Sequence, residues 1–270
     1  MIHSRVNLHQ VAFGAESTTA FIEHCRTIGM QNMTLVTPHL MQPDGVEEAL
    51  LALAPGGPKA TVVNHPFGFY PNLDEDDGQA AARMLEAIEI ADRLGSKLMY
   101  LVSGGRGRLS WEEAADRFAA LIAPCLPVAA EKGIKLTVET ASPFNVDIHM
   151  AHTLDDTIRL AEIAGIGVCL ELHACWYEGG LKEKFARCMP NTRLVQISDY
   201  VAGDRTAPCR AVIGDGMVPI ESLLGDVLEA GYEGVFDLEL LGPRIAAEGP
   251  REATKRAAEN LSEILVKLGA

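Results

Sequence analysis

Eight short apolar runs, each followed by a segment of helical periodicity, limit what this chain can fold into. The runs are RVNLHQV (5–11), NMTLVTPHL (32–40), ATVVNHPFGFYPN (60–72), SKLMYLVSGG (96–105), KLTVE (135–139), GIGVCLELHACW (165–176), RLVQISDY (193–200) and GVFDLEL (234–240). Between and after them, amphipathic spacing predicts helices over 18–28, 46–54, 79–94, 110–122, 153–164, 181–188, 219–230 and 252–268. Ser110 with Glu113 and Asp44 with Glu47 have capping-box spacing. Gly29, Gly95 and Gly133 stand where helices must stop. Strands that are nearly continuously apolar belong in a parallel sheet covered on both faces. Eight such units in a chain of this size predict one α/β domain, a (β/α)8 barrel over residues 1–270. No Pro/Gly/Ser linker divides it. An open doubly wound sheet is the alternative, but no G-x-G-x-x-G follows an early strand.

Several strands end on polar side chains, and alternation along a strand says where these point. In the fifth run Leu136 and Val138 share one face, and Thr137 and Glu139 the other. In the sixth, Val168, Leu170 and Leu172 oppose Cys169, Glu171 and His173. In the seventh, Val195 and Ile197 oppose Leu194, Gln196 and Ser198. In the eighth, Phe236, Leu238 and Leu240 oppose Asp237 and Glu239. The apolar sets are expected under the helices and the polar sets inside the barrel, toward its C-terminal mouth. Glu139, Glu171, His173, Gln196 and Glu239 then share one cavity. Three carboxylates converging there need compensation against repulsion and desolvation. A divalent cation is the simplest, and oxygen donors favour Mn²⁺, then Mg²⁺ or Co²⁺, with Zn²⁺ last. Salt bridges to Arg or Lys are the competing explanation.

The net charge of −14 argues against a nucleic-acid surface. No apolar run reaches the roughly 18 residues of a membrane helix, and the N-terminal stretch has no secretory signal pattern. A cytoplasmic protein is expected, free of membrane, with its six scattered cysteines as free thiols. Assembly into a homo-oligomer is compatible with the sequence.

The motifs AIEIADRLGSKLMYLVSGG, VET, TLDDTIRLAEIAGIGVCLE, LVQISDY and GDGMVPIESLL, with the glutamate of the eighth run, resemble those of the xylose-isomerase-like barrels. That superfamily includes sugar-phosphate isomerases and epimerases, ketose 3-epimerases, inosose and dehydroshikimate dehydratases, and nucleases of the endonuclease IV type. The resemblance spans nearly the whole chain and is strongest from about residue 78. It implies one divalent metal held by Glu, Asp, His and Glu on strands five to eight. Glu139 and Glu239 match the two glutamates. Glu171 stands in place of the aspartate and Gln196 in place of the histidine. Where the family commonly has a histidine three residues after the strand-six carboxylate, this chain has Ala174, with His173 beside it as an alternative ligand or substrate contact.

The implied activity is isomerisation or epimerisation of a sugar or similar polyhydroxy carbonyl compound. Glu139 and Glu239 would remove and return the proton beside a metal-bound carbonyl. A dehydratase on a cyclic hydroxyketone, using the same site, is the alternative reaction. A non-catalytic barrel with a degenerate metal site and a DNA-repair nuclease are two further readings, and the acidic charge weighs against the nuclease. Substrate contacts are expected from His9, His65, His173, Arg210, Arg244 and Trp176, with His39 also near a strand end. Arg210 and Arg244 are the loop cations suited to a carboxylate or phosphate. The DEDDG turn (74–78) reads as a solvated helix start.

Overall fold

The computed structural model describes residues 1–53, 56–68 and 72–270. Eight parallel strands close into a barrel: β1 (Val6–His9), β2 (Asn32–Val36), β3 (Lys59–Pro66), β4 (Leu98–Val102), β5 (Lys135–Glu139), β6 (Gly167–Glu171), β7 (Thr192–Ile197) and β10 (Phe236–Leu238). β10 pairs with both β7 and β1 and so completes the ring. Two further strands, β8 (Asp199–Tyr200) and β9 (Arg210–Ala211), form an antiparallel ribbon outside the barrel. Helices lie between the strands. Among the described residues no helix is long and apolar enough to cross a membrane.

The alternation argument sorts the side chains as expected. Leu136, Val138, Val168, Leu170, Val195, Ile197, Phe236 and Leu238 join the main core under the helices. Val62, Tyr100, Cys169 and Leu194 form a separate small cluster inside the barrel. Residues paired across neighbouring parallel strands point to the same face. Tyr100 stands opposite Thr137, and Glu171 opposite Gln196, in register.

Strand ends differ from the sequence expectation where a local turn competes with the ladder. The second strand stops at Val36, and Thr37–Leu40 forms one helical turn with Pro38 in its first turn. Proline pre-sets the helical φ and needs no donor there. The sixth strand stops at Glu171. Leu172–Cys175 is a helical turn, because the Glu171 side chain caps it by accepting from the His173 backbone N–H at 3.0 Å. Leu172 and His173 are therefore not strand residues. The eighth barrel strand is only Phe236–Leu238, and Glu239 lies just past it.

The helix expected over 46–54 runs Gly45–Leu53, and Ala54 lies outside the described residues. The third strand ends at Pro66, and residues 69–71 of the expected 60–72 run also lie outside them. The DEDDG turn is not simply solvated. Asp76 is buried and accepts from the backbone N–H groups of Gly78 and Ala80 at 2.7 and 3.0 Å, ahead of the helix Gln79–Arg93. The helix Trp111–Ile122 carries the full Ser110/Glu113 capping box.

Candidate active site

The carboxylates of Glu139, Glu171 and Glu239 converge at the C-terminal end of the barrel, with one oxygen of each within 4.8 Å of the others. All three residues are buried. Glu139 closes β5 and Glu171 closes β6, so their positions follow from strand register. Glu239 follows β10, and its backbone N–H bonds the Ile197 carbonyl.

Among the described residues, one cation faces them. Arg210 comes not from a barrel strand but from the ribbon, where Tyr200 is its partner in register. Its guanidinium lies 2.7 Å from Glu171 Oε2 and 3.1 Å from Glu239 Oε2, and donates to Ser198 Oγ at 3.0 Å. The ribbon is braced by Asp199. That buried carboxylate accepts the backbone N–H groups of Tyr200, Gly214, Gly216 and Val218. Gly216 is required by this packing, since a Cβ there would lie 2.3 Å from Asp199 Oδ1. The GDG segment is thus a brace for the loop that delivers Arg210.

Burial sets the protonation tendencies. It pushes Glu139 well above the ordinary carboxylate range, and the neighbouring charges of Glu239 and Glu171 push the same way. Glu171 is pushed up to about 7 by burial, against the pull of Arg210. Burial opposes the charge on Arg210, but Glu171, Glu239 and Glu139 together outweigh it and raise its pKa. Ionised together, the three carboxylates would exceed the one guanidinium by two negative charges, which a divalent cation would neutralise. The donor set therefore fits such an ion: hard carboxylate oxygens, buried and convergent.

Gln196 is placed differently from a ready-made ligand. Its Nε2 donates to Glu239 Oε2 at 3.0 Å, and its Oε1 accepts from Cys169 Sγ at 3.0 Å. The amide presents its donor end to the carboxylates, so it joins a ligand set only when turned over. Cys169, one of the six free thiols, is thus a hydrogen-bond donor inside the barrel.

His149 was not singled out by the sequence. Its Nε2 lies 3.2 Å from Glu139 Oε2, and its Nδ1 has no partner. Burial lowers its pKa to about 3, so it is a neutral imidazole. The only signal was a histidine in the long connection after the fifth strand.

The other predicted contacts are dispersed. His9 is buried. Its Nδ1 accepts from the Val11 backbone N–H at 2.9 Å, which leaves the ring proton on Nε2, donated to Tyr100 Oη at 2.6 Å. His65 is buried with Nδ1 2.8 Å from Thr37 Oγ1. Its neighbour in register is Leu101, a residue of the outer core, so it does not face the carboxylates. His173 is half-buried, with Nε2 4.0 Å from Cys209 Sγ and its ring edge-on to Tyr200. Trp176 is half-buried and packs on Tyr200 with centroids 6.2 Å apart. Arg244 is tied to Asp204 at 2.6 Å. His39 is half-buried on its helical turn. Below the carboxylates lies a second buried polar group that the sequence did not assemble. Asn7 Nδ2 donates to Thr34 Oγ1 at 2.7 Å and to Asp237 Oδ1 at 2.6 Å.

A family model described as the xylose isomerase-like TIM barrel matches residues 15–264. No curated protein matches the sequence. Among solved structures, protein SMc04130 from Sinorhizobium meliloti 1021 superposes with a TM-score of 0.84 at 21% identity, covering 96% of this chain and 98% of that one. An IOLI protein with a bound zinc atom gives 0.83 at 15% identity over 98% and 99% of the two chains. D-psicose 3-epimerase with D-tagatose, from Clostridium cellulolyticum H10, gives 0.77 at 14% identity over 98% of each. At these identities the structural likeness establishes the fold.

Proposed function

The chain belongs to the xylose isomerase-like TIM barrel family, and from that premise we propose that it is a divalent-metal-dependent isomerase or epimerase of a sugar or similar polyhydroxy carbonyl compound. The observation that carries this reading is the convergence of Glu139, Glu171 and Glu239 against a single guanidinium. These three carboxylates would hold the ion, with Gln196 as a fourth donor if its amide turns. An all-oxygen set favours Mn²⁺ or Mg²⁺ over Zn²⁺, although the IOLI protein holds zinc on the same scaffold. Bound there, the ion would polarise a substrate carbonyl and acidify the adjacent C–H.

The chain's own residues do the rest. Glu139 and Glu239 stand three strands apart around the ring, on β5 and just past β10. One removes the proton beside the carbonyl and the other returns a proton from the far side. Arg210, neutralised by Glu171 and Glu239, offers N–H groups to substrate hydroxyls. Trp176 and Tyr200 supply an apolar wall suited to a sugar ring. Both loop cations expected to grip an anion are already neutralised by carboxylates, Arg210 by Glu171 and Glu239 and Arg244 by Asp204. That favours an uncharged sugar over a sugar phosphate.

The test is solvent exchange. Mn²⁺-loaded protein is incubated with a panel of free ketoses in D₂O and followed by NMR. Deuterium entering at the carbon beside the carbonyl, without loss of water from the sugar, is the expected result. Exchange is lost in Glu139→Gln and Glu239→Gln. Exchange that survives both substitutions, or a protein that takes up no divalent metal, would remove the reading.

A further inference from the structure

We propose that His149 is a positioning residue for Glu139: its Nε2–H fixes the carboxylate that serves as ligand and base. The inference rests on the metal-site reading given above for Glu139, and goes beyond it to a residue outside the strand-end set.

The imidazole and the carboxylate are both buried and 3.2 Å apart. Each tautomer of the ring places its single N–H on one of the two nitrogens. Placed on Nδ1, that proton would be a buried donor with no acceptor, because Nδ1 has no partner. An orphaned buried donor is costly. Placed on Nε2, it meets Glu139 Oε2. With Nδ1 unpartnered and Nε2 3.2 Å from the carboxylate, the geometry favours the Nε2–H tautomer, with His149 the donor to an unprotonated Oε2.

The backbone carrying His149 is pinned on both sides, so the ring is aimed rather than free. His149 N–H bonds the Asn145 carbonyl at 2.8 Å. On one side the Ile148 carbonyl accepts from Gly104 at 2.9 Å, and on the other Met150 N–H donates to Ser103 Oγ at 3.0 Å. The Met150 carbonyl accepts the Trp111 indole N–H at 2.9 Å, and the Ala151 carbonyl accepts from Ala141 at 3.0 Å. The last bond ties the segment back to the stretch just after Glu139. The loop from Ser103 to Trp111 and the connection after β5 thus hold one imidazole against one carboxylate oxygen. A carboxylate with one oxygen fixed in this way is pre-oriented before a cation arrives, which is how partners of metal ligands raise affinity.

The experiment compares Mn²⁺ binding by wild type, His149→Phe and His149→Gln, read from the electron paramagnetic resonance signal of free Mn²⁺. His149→Phe keeps a flat ring but removes the donor, and is expected to weaken Mn²⁺ binding about 10- to 100-fold. His149→Gln restores an N–H donor and is expected to stay within about threefold of wild type by the same reasoning. A folded His149→Phe that binds as wild type does, or a Gln variant as weak as the Phe variant, overturns the proposal. ¹⁵N NMR of the imidazole in metal-free wild type reads the tautomer directly. The Nε2–H form supports the assignment and the Nδ1–H form overturns it. Failure of wild type to bind Mn²⁺ would count against the metal site, and the NMR result would still decide the role of His149.

Discussion

The two halves of the barrel interior solve the burial of polar groups in opposite ways. On β1 to β4 the inward groups include no carboxylate: Asn7 bonds Thr34, and His9 bonds Tyr100. From β5 to β10 they are acids, Glu139, Glu171, Asp237 and Glu239, and one arginine from outside the ring partly balances them. A neutral hydrogen-bonded group carries no charge that a further group must balance, although Asn7 Oδ1 and Asn64 Nδ2 have no partner of their own. A set of carboxylates in charge excess is stable only with protons or a cation. The first half therefore acts as a floor, and the second half would receive the ion proposed above.

The largest effects should come from removing a charge in the second half. Glu239→Gln removes one acid of the cluster. Mn²⁺ affinity should fall by two orders of magnitude or more and turnover by about 10²- to 10⁴-fold. The metal-free protein should meanwhile become no less stable, because repulsion is relieved. Isothermal titration and thermal melts check the pair of outcomes together, and a destabilised variant with unchanged Mn²⁺ affinity would make Glu239 structural. Arg210→Met does the reverse. It strips Glu171 and Glu239 of their cation and should cost about 3–5 kcal/mol in urea unfolding of the metal-free protein. Added Mn²⁺ should restore part of that loss, and no restoration would mean that the ion and the arginine do not share the same carboxylates.

The contrast also explains what could be read from the sequence. The ring of eight strands was legible because apolar runs with helices between them leave few alternatives. Glu139 and Glu171 were legible because period-two alternation puts them opposite Val138 and Leu170. Glu239 lies past the end of its strand, yet alternation carried through to it. His9 and His65 carried the same surface signal, a polar residue at a strand end, but their partners Tyr100 and Thr37 lie 91 and 28 residues away. Nothing in a local pattern distinguishes a histidine that is already bonded from one that awaits a ligand. His149 was missed for the converse reason: a loop segment, with no periodicity, is pinned by five hydrogen bonds that only the fold creates. The orientation of Gln196 was equally out of reach, because it depends on Cys169 across the β6–β7 pair.

A pH series of the metal-free protein separates the acid cluster from a buried histidine outside it by sign. Glu171 titrates at about 7 in the folded state, against about 4.3 when unfolded. Its folded pKa is raised, so its favourable contribution is complete below about 4.3 and is lost as pH rises through 7. The loss is at most about 4 kcal/mol. His65, lowered by burial to about 4, behaves in the opposite way. Its contribution is complete above about 6.5 and is lost as pH falls toward 4. Stability should therefore decline on both flanks. Glu171→Gln should flatten only the alkaline flank, and so should saturating Mn²⁺, which favours the ionised carboxylate. Urea midpoints between pH 4 and 8 measure both, and an alkaline flank unchanged in Glu171→Gln would detach this residue from the charge excess.

The smallest effect should come from the floor, and it is the sharpest test of the division. Tyr100→Phe removes the oxygen that accepts from His9 Nε2. Because His9 Nδ1 is already bonded to the Val11 N–H, the ring cannot exchange tautomers to recover, and a buried donor is left without a partner. The cost should be about 1–3 kcal/mol of folding stability. The hydroxyl itself is neutral: burial, followed by the charges of Glu239 and Glu139, pushes its pKa upward. Removing it takes no charge from the cluster. Mn²⁺ affinity should therefore stay within about twofold, a difference under half a kcal/mol. A tenfold loss of affinity with stability intact would mean that Tyr100 serves the carboxylates rather than His9, and the line between floor and receptor would have to be drawn below it.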